Sequence, residues 1–140
     1  MANRMFPLGK IAAYSGKFDL LTDPVKAVLV DLADWTPDFT ADEFVADIPG
    51  AAIVGTAVAL ASKALTAGPS GDKIKFSSAN VTLLAVTGDT SEALLFYVEA
   101  TGGNYLLALD DTATGTPGLP ITPQGVNIVI TCPTDGWFHY

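Results

Sequence analysis

The sequence predicts a mainly β fold, an antiparallel β-sandwich or small barrel of about seven strands with an N-terminal arm and one or two short helices. Three observations predict it. Short apolar or β-branched runs recur at regular spacing, glycine and proline turn signals separate them, and two runs flank a Gly-Gly-Asn turn as in a β-hairpin. At 140 residues the chain has the length of one domain.

The predicted hairpin joins Glu92–Glu99 to Tyr105–Asp110, and the other elements must be arranged around it. Successive side chains of a strand point to opposite faces of a sheet. An antiparallel strand with one solvent-exposed face alternates apolar with polar residues. A strand that is apolar on both faces should therefore be covered on both faces, by the domain's own second sheet or by another chain. In the first run both faces are apolar, with Ala93, Leu95 and Tyr97 on one and Leu94, Phe96 and Val98 on the other.

Five further strands are predicted from segments with β-branched residues or alternating polarity. They cover residues 25–31, 52–60, 73–77, 81–86 and 126–131. Together with the two strands of the hairpin they make the seven of the predicted fold. No internal repeat and no linker divides the chain, which supports a single domain.

Two short helices are predicted. Ile11, Tyr14, Phe18 and Leu21 recur at intervals of three and four, which is the pattern of an amphipathic helix, although Gly16 weakens it. The segment from Thr40 to Glu43 has the form of a capping box. It predicts a second helix, which Pro49 and Gly50 would end.

Residues 1–9 are predicted to form an N-terminal arm, and residues 10–140 a single β-rich domain. The first eight residues show no helical or strand period, so the arm should be unordered in the free protein and its loss should leave the melting temperature nearly unchanged. The first 26 residues hold four cations and two anions, whereas no Lys or Arg follows Lys75. A basic leading segment on an acidic body indicates docking on an acidic surface; the alternative is that the arm pairs with its own body. The residues expected to contact a partner are Arg4, Met5, Phe6, Leu8 and Lys10.

Charge and composition exclude several classes of function. The net charge of −8 argues against a nucleic-acid partner, because binding phosphates requires clustered Lys and Arg. Hydrophobic residues make up 49% and charged ones 16%, against a typical charged share of about 25%. The excess apolar content lies either in a large core or in subunit interfaces. With a single cysteine and no apolar run near the roughly 20 residues that span a bilayer, we expect a soluble intracellular product with no disulfide framework and no membrane partner.

Catalytic and metal-binding constellations are not predicted. His139 is the only histidine and lies next to the last residue, and one histidine with Cys132 does not make a metal cluster. A calcium site from Asp34, Asp38 and Asp42 is the alternative to the capping box, but neither the close spacing nor the glycine of a calcium loop is present. We therefore expect no enzymatic activity, no cofactor and no metal, and a binding or structural role.

Several segments resemble a family of small virion structural proteins of tailed bacteriophages. The resemblance covers most of the chain and is a pattern of strands and turns without a catalytic signature. It lies in Met-Ala-Asn-Arg4, in Val25-Lys-Ala-Val-Leu-Val-Asp-Leu-Ala-Asp34 with Trp35-Thr-Pro, in Glu43-Phe-Val-Ala-Asp-Ile-Pro49, and in Asp111-Thr-Ala-Thr-Gly with Leu119-Pro-Ile-Thr-Pro-Gln-Gly125.

The resemblance implies a minor capsid or decoration (cement) protein that binds and reinforces the assembled head shell. The implied partner is the major capsid protein, with this chain forming a homo-oligomer on the capsid exterior after synthesis in the host cytoplasm. One alternative is a tail or neck component of the virion. Another is a small carbohydrate-binding β-sandwich used in host attachment, which an exposed Trp35 or Trp137 in a shallow groove would favour.

Overall fold

A computed structural model describes residues 4–68, 73–111, 115–116 and 118–139, and it confirms the mainly β fold. Beside the strands, the described residues form one α-helix, α1 (Pro7–Tyr14), and 3₁₀ turns at Val45–Asp47 and Gly50–Ala52. The strands in chain order are β1 (Arg4–Met5), β2 (Val25–Val30), β3 (Ile53–Ala59), β4 (Ala64–Ala67), β5 (Ile74–Ser77), β6 (Val81–Leu83), β7 (Ala93–Ala100), β8 (Gly103–Asp110), β9 (Gly115–Thr116), β10 (Ile128–Ile130) and β11 (Phe138–His139).

Three antiparallel sheets form a sandwich-like arrangement, and no closed barrel is seen within the described residues. The central sheet has the order β1-β8-β7-β2-β3, and its middle strand is β7 of the predicted β7–β8 hairpin. Two smaller sheets have the orders β11-β5-β4 and β6-β10-β9. Each of the seven predicted strands is present, at bounds that differ by a few residues.

Both faces of the central hairpin are covered by the chain itself, as its apolar pattern predicts. On one face Phe96 contacts aromatic rings from the C-terminal segment, with centroids 5.1 Å from Trp137 and 5.7 Å from Phe138. Leu95, on the other face, belongs to a second core cluster with Phe6 and aromatic side chains of the 31–52 segment. The first cover is a sheet, and the second is mostly irregular chain.

Helix α1 lies on β8, but its buried face is not the predicted one. Gly9 and Ala12 are buried, whereas Ile11 and Tyr14 are 59% and 72% exposed. A Cβ at Gly9 would stand 1.8 Å from the carbonyl oxygen of Leu106, so only glycine allows this close approach of helix and strand. The helix ends before Gly16 because that residue has a φ of +73°, and the predicted continuation to residue 21 is therefore wrong.

The N-terminal segment is part of the fold over the described residues 4–8, which corrects the expectation of an arm without regular structure. Strand β1 pairs with β8 through Arg4 opposite Leu109 and Met5 opposite Ala108. The N–H of Phe6 donates to the Leu107 carbonyl at 2.9 Å, and its side chain is fully buried. Burial of a large aromatic ring gives the segment the fixed position that periodicity did not indicate. Residues 1–3 of the predicted arm lie outside the described residues.

The second predicted helix is also corrected. Residues 38–42 form one turn, closed by the Asp42 N–H donating to the Asp38 carbonyl at 2.8 Å, and the 3₁₀ turn begins only at Val45. Thr40 does not cap a helix, because its N–H and hydroxyl both donate to the Asp38 carboxylate. An aspartate two residues upstream thus accepts the Thr40 N–H, which in a capping box would donate to the Glu43 side chain.

Truncating the hairpin core tests its central position. Both Leu95 and Phe96 are fully buried, on opposite faces of β7. We expect Phe96→Ala to lower the free energy of unfolding by about 3 to 5 kcal/mol and Leu95→Ala by about 2 to 5 kcal/mol, measured by urea denaturation. Leu84→Ala is the control, since Leu84 is 64% exposed and should change stability by at most about 0.5 kcal/mol. Losses below about 1 kcal/mol at both core positions would contradict this role.

Truncating the N-terminal segment tests its place in the fold. We expect Phe6→Ala to lower the free energy of unfolding by about 3 to 5 kcal/mol, because its ring is fully buried. Deletion of residues 2–8 should lower the melting temperature at least as much as Phe6→Ala does. Ile11→Ala, at an exposed position of α1, should leave the melting temperature within a degree or two of wild type and serves as the control. An unchanged melting temperature after the deletion would instead support an arm that does not contribute to the fold.

Candidate interaction surface

Of the five residues predicted to contact a partner, Phe6 is held most firmly by the chain itself. Its ring stacks on Phe39 at a centroid distance of 4.7 Å and on Trp35 at 6.2 Å. A side chain buried in this way belongs to the core and has no free surface in this conformation. The basic segment therefore pairs with its own body at this point, which was the alternative to docking elsewhere.

The other four predicted residues retain some exposure. The guanidinium carbon of Arg4 lies 3.8 Å from the centroid of the Phe39 ring, a cation–π contact, while the side chain is exposed. Met5, Leu8 and Lys10 are half-buried. Their contact with a partner stays a prediction.

The carboxylates of the acidic stretch cap local turns. Asp38 Oδ1 accepts hydrogen bonds from the Thr40 hydroxyl at 2.6 Å and the Thr40 N–H at 2.9 Å, and these bonds lower the pKa of Asp38. The N–H groups of Phe44 and Glu43 donate to Asp47 Oδ2 at 2.9 and 3.0 Å and lower its pKa in the same way. These bonds hold the loop that covers one face of the central sheet.

Asp42 takes part in the same loop. Its Oδ2 accepts the Asp38 N–H at 2.8 Å and the Trp35 Nε1–H at 3.3 Å. Because Asp38 and Asp42 serve the loop, two of the three residues of the alternative calcium set have structural roles.

A different carboxylate cluster forms between two loops, and it was not predicted. One oxygen each of Asp31, Asp34 and Asp89 lie within 4.8 Å of one another. Carboxylate oxygens are calcium ligands, but exposed acidic groups commonly meet without an ion. The buried member, Asp31, already accepts the N–H of Ala33 at 2.8 Å. The cluster by itself assigns no function.

The single histidine and the single cysteine of the chain are both engaged locally. His139 Nε2 lies 2.6 Å from the Asp135 carbonyl oxygen, and Cys132 Sγ lies 3.6 Å from the Pro133 carbonyl oxygen. Burial raises the pKa of the Cys132 thiol, which favours the less reactive protonated form.

The most distinctive surface of the described residues is an apolar groove of about 300 Å³ that opens from the core. Leu65 of β4 and Ile74 of β5 lie on its sheet side and are 37% and 45% exposed. They share a face with fully buried Phe76, because Leu65 is paired with Phe76 and Ile74 precedes it by two residues. The groove is thus an uncovered extension of the core. Its lining residues are Ala13, Tyr14, Phe18, Asp19, Leu20, Leu65 and Ile74.

A second exposed apolar group, here called the β10 patch, consists of Leu84, Val126 and Val129. Val129 lies on β10 between Ile128 and Ile130, which are buried, so it points away from the core. Leu84 and Val126 are 64% and 63% exposed.

The sequence segments that contribute to the groove hold most of the chain's lysines, although the charged residue that lines the groove itself is an acid, Asp19. Segments 7–23, 63–68 and 73–77 contain five of the chain's seven cations and two of its fifteen anions. The two anions are engaged locally: the Asp19 N–H donates to Asp23 Oδ2, and Asp19 Oδ1 accepts the Leu21 N–H, both at 2.8 Å. The cations are Lys10, Lys17, Lys63, Lys73 and Lys75.

Sequence reasoning did not identify the groove. Tyr14 was placed on a buried helix stripe, and Leu65 lay in an alanine-rich segment without a predicted strand.

Comparison with known proteins leaves the family resemblance a prediction, because no protein-family model and no curated protein matches the sequence. Among the described residues, no helix has the length and apolar character to cross a membrane.

Removing one carboxylate tests the Asp31–Asp34–Asp89 cluster. In low-salt buffer with a chelator, we expect Asp89→Asn to raise the melting temperature, because the three carboxylates then repel one another without a counter-charge. The gain should disappear in about 1 M NaCl, where the Debye length is about 3 Å. Asp135→Asn removes the same charge outside the cluster and is the control. A calcium-dependent rise in the wild-type melting temperature that Asp89→Asn lacks would contradict the expectation of no metal.

Proposed function

We propose that this chain is a virion structural protein of a tailed bacteriophage, a minor capsid or decoration protein that binds and reinforces the assembled head shell. The proposal combines the family resemblance with one observation of the structure, the exposure of large apolar side chains in two separate places. One place is the groove, and the other is the β10 patch.

Two apolar surfaces suit a protein that is held between neighbours. Exposed apolar area in a contiguous patch is typical of protein–protein contacts, whereas single exposed apolar residues need no explanation. Six of the seven lining residues of the groove are apolar or aromatic, with Phe18 and Leu20 buried, and the β10 patch has three apolar members. One surface would contact the major capsid protein and the other a further copy of this chain.

A tail or neck location is the alternative within the virion, and the same surfaces would serve it. The carbohydrate-binding alternative loses its expected feature, because Trp35 is 6% exposed and Trp137 is fully buried. The Trp137 Nε1–H donates to the Ser78 hydroxyl at 2.8 Å, which fixes the indole inside the chain. Neither tryptophan offers a flat exposed face for a sugar ring.

Co-sedimentation with particles that lack this chain tests the proposal. We expect the purified protein to sediment with heads at a saturating ratio, and Leu84→Lys combined with Val129→Lys to weaken this binding at least tenfold, because lysines at these positions prevent burial of the β10 patch. Gold labelling of a tagged copy locates it on the particle.

Thr101→Lys combined with Asn104→Lys is the matched control, since both residues are exposed at the β7–β8 turn, outside the β10 patch, and the change in charge is identical. A wild-type chain that stays in the supernatant would contradict a virion role, and label confined to tails would select the alternative location.

A further inference from the structure

We propose that a mostly polar cavity beside strands β1 and β11 is a binding site for a polyvalent oxyanion, a phosphate or a di- or tricarboxylate. Its volume is about 350 Å³, within the range of about 300 to 1,000 Å³ that is typical of small-ligand pockets. Among the described residues it is lined by Arg4 and Met5 of β1, by Lys73 directly before β5, and by residues 136–139. The inference does not rest on the proposed function, because it concerns this charged cavity and not the exposed apolar surfaces.

The charge of the cavity lining is opposite in sign to that of the whole chain. The chain has fifteen Asp and Glu residues against seven Lys and Arg residues and one His. Nevertheless, the ionisable side chains among the described lining residues are Arg4, Lys73 and His139, and no acid is among them. In the apolar groove, by contrast, the charged lining residue is Asp19. A cavity lined by one sign of charge concentrates ligands of the opposite sign.

Pairing within the small sheet brings the cations to one face. The Gly68 N–H donates to the Lys73 carbonyl at 2.7 Å, which continues the β4–β5 ladder to Lys73. Strand β11 pairs with β5 with His139 opposite Lys75. Directly opposite residues share a face of the sheet, and so do residues two apart in one strand. Lys73, Lys75 and His139 therefore lie on one face, opposite to the face that borders the groove.

Arg4 and Lys73 are available to a ligand. Both residues are exposed, and within the described part of the chain neither side chain makes a hydrogen bond or an ion pair. The guanidinium carbon of Arg4 lies over the Phe39 ring at 3.8 Å from its centroid. This contact positions the guanidinium and leaves its in-plane N–H groups for other acceptors. The planar fork of these N–H groups matches the oxygens of phosphate and carboxylate.

The turn before β11 forms one wall of the cavity. A Cβ at Gly136 would stand 2.5 Å from the Phe76 carbonyl oxygen, and Gly136 has a φ of +82°, so only glycine lets the turn lie this close to β5. His139 Nε2 lies 2.6 Å from the Asp135 carbonyl oxygen. Since a carbonyl oxygen only accepts, Nε2 carries a proton, and this bond fixes the imidazole ring against the turn.

The open edge of β1 adds a main-chain donor. The Phe6 N–H donates to the Leu107 carbonyl at 2.9 Å, so Phe6 bonds towards β8. Hydrogen-bonded and non-hydrogen-bonded pairs alternate along an antiparallel ladder. The Met5 N–H therefore points away from β8, towards the open edge of the central sheet, and Met5 lines the cavity. Main-chain N–H groups are frequent partners of bound anions.

These donors select a polyvalent oxyanion among the classes of anion. Arg4 and Lys73 carry two positive charges, and their N–H groups form short, charge-assisted bonds to phosphate and carboxylate oxygens. The net charge of −8 repels anions at a distance, so a ligand must gain enough at the cavity itself. A chloride ion has one charge and no set of acceptor oxygens. A nucleic acid needs a broad basic surface, which this net charge does not provide.

Titration with two anions at constant ionic strength tests the site. Inorganic phosphate and citrate are added separately to the full chain at neutral pH, with sodium chloride adjusted so that only the kind of anion changes. We expect saturable shifts in ¹⁵N-resolved spectra with a Kd below about 1 mM for at least one of the two anions. The largest shifts should fall on the amides of Met5, Lys73 and His139. Saturation by phosphate alone assigns a phosphate ligand, and saturation by citrate alone assigns a carboxylate ligand.

Two variants separate directed binding from net charge. Lys73→Gln removes one cation of the lining and should raise the Kd about tenfold, because a charge-assisted bond is lost. Lys17→Gln removes the same charge from an exposed residue outside the cavity and is the matched control, with a Kd within about twofold of wild type. Arg4→Lys keeps the charge but loses the planar fork of donors, so it should also weaken binding.

Absence of saturable shifts with both anions overturns the proposal. Equal Kd values for Lys73→Gln and Lys17→Gln would show that the cavity cations make no directed contact, and would overturn it as well. The largest shifts falling on Leu65 and Ile74 of the groove would have the same consequence. An unfolding midpoint of Lys73→Gln equal to that of wild type, measured with urea, supports the assignment of its weaker binding to the lost cation.

Discussion

The apolar character of β7 and β8 on both faces is the constraint on which the rest of the structure depends. From Ala93 to Val98 every side chain is buried, and the same holds from Tyr105 to Asp110. A sheet of this kind cannot leave either face in water, since each exposed large side chain would forgo about 1.5 to 3 kcal/mol of burial. The chain must therefore supply two covers, and almost every other element belongs to one of them.

The irregular segment that covers the second face of the central sheet explains why acidic residues are frequent between residues 31 and 47. Irregular chain that lies on a core has backbone groups that no ladder satisfies, and these groups need other partners. The carboxylates of Asp38, Asp42 and Asp47 accept backbone N–H groups and thus allow an irregular segment to hold Trp35 and Phe39 over the sheet. A run of acids that looks like a cation site in the sequence is here a set of turn caps.

The long strands and the double-sided core could be predicted from the sequence, because their signal lies in the alternation of many residues. The shortest strands could not. Strand β1 has two residues, and its position comes from Phe6 and from pairing with β8, both of which depend on distant parts of the chain. Helix α1 shows the limit of periodicity, because Gly9 allows the helix to lie directly on the strand. That contact turns the Ile11 and Tyr14 side outward.

The low charge content had two interpretations, a large core or buried interfaces, and the structure contains features of both. The apolar residues of the long strands belong to the two core clusters. Leu65 and Ile74 face the same way as the core residues of their strands but lie beyond the area that other elements cover, and they line the groove. The carboxylates of Asp38, Asp42 and Asp47 hold in place the loop that covers one face of the central sheet. Leu65 and Ile74 remain exposed because no described part of the chain covers that end of the sheet, so this part of the apolar content adds little to the stability of the chain alone and is available for contact with another molecule.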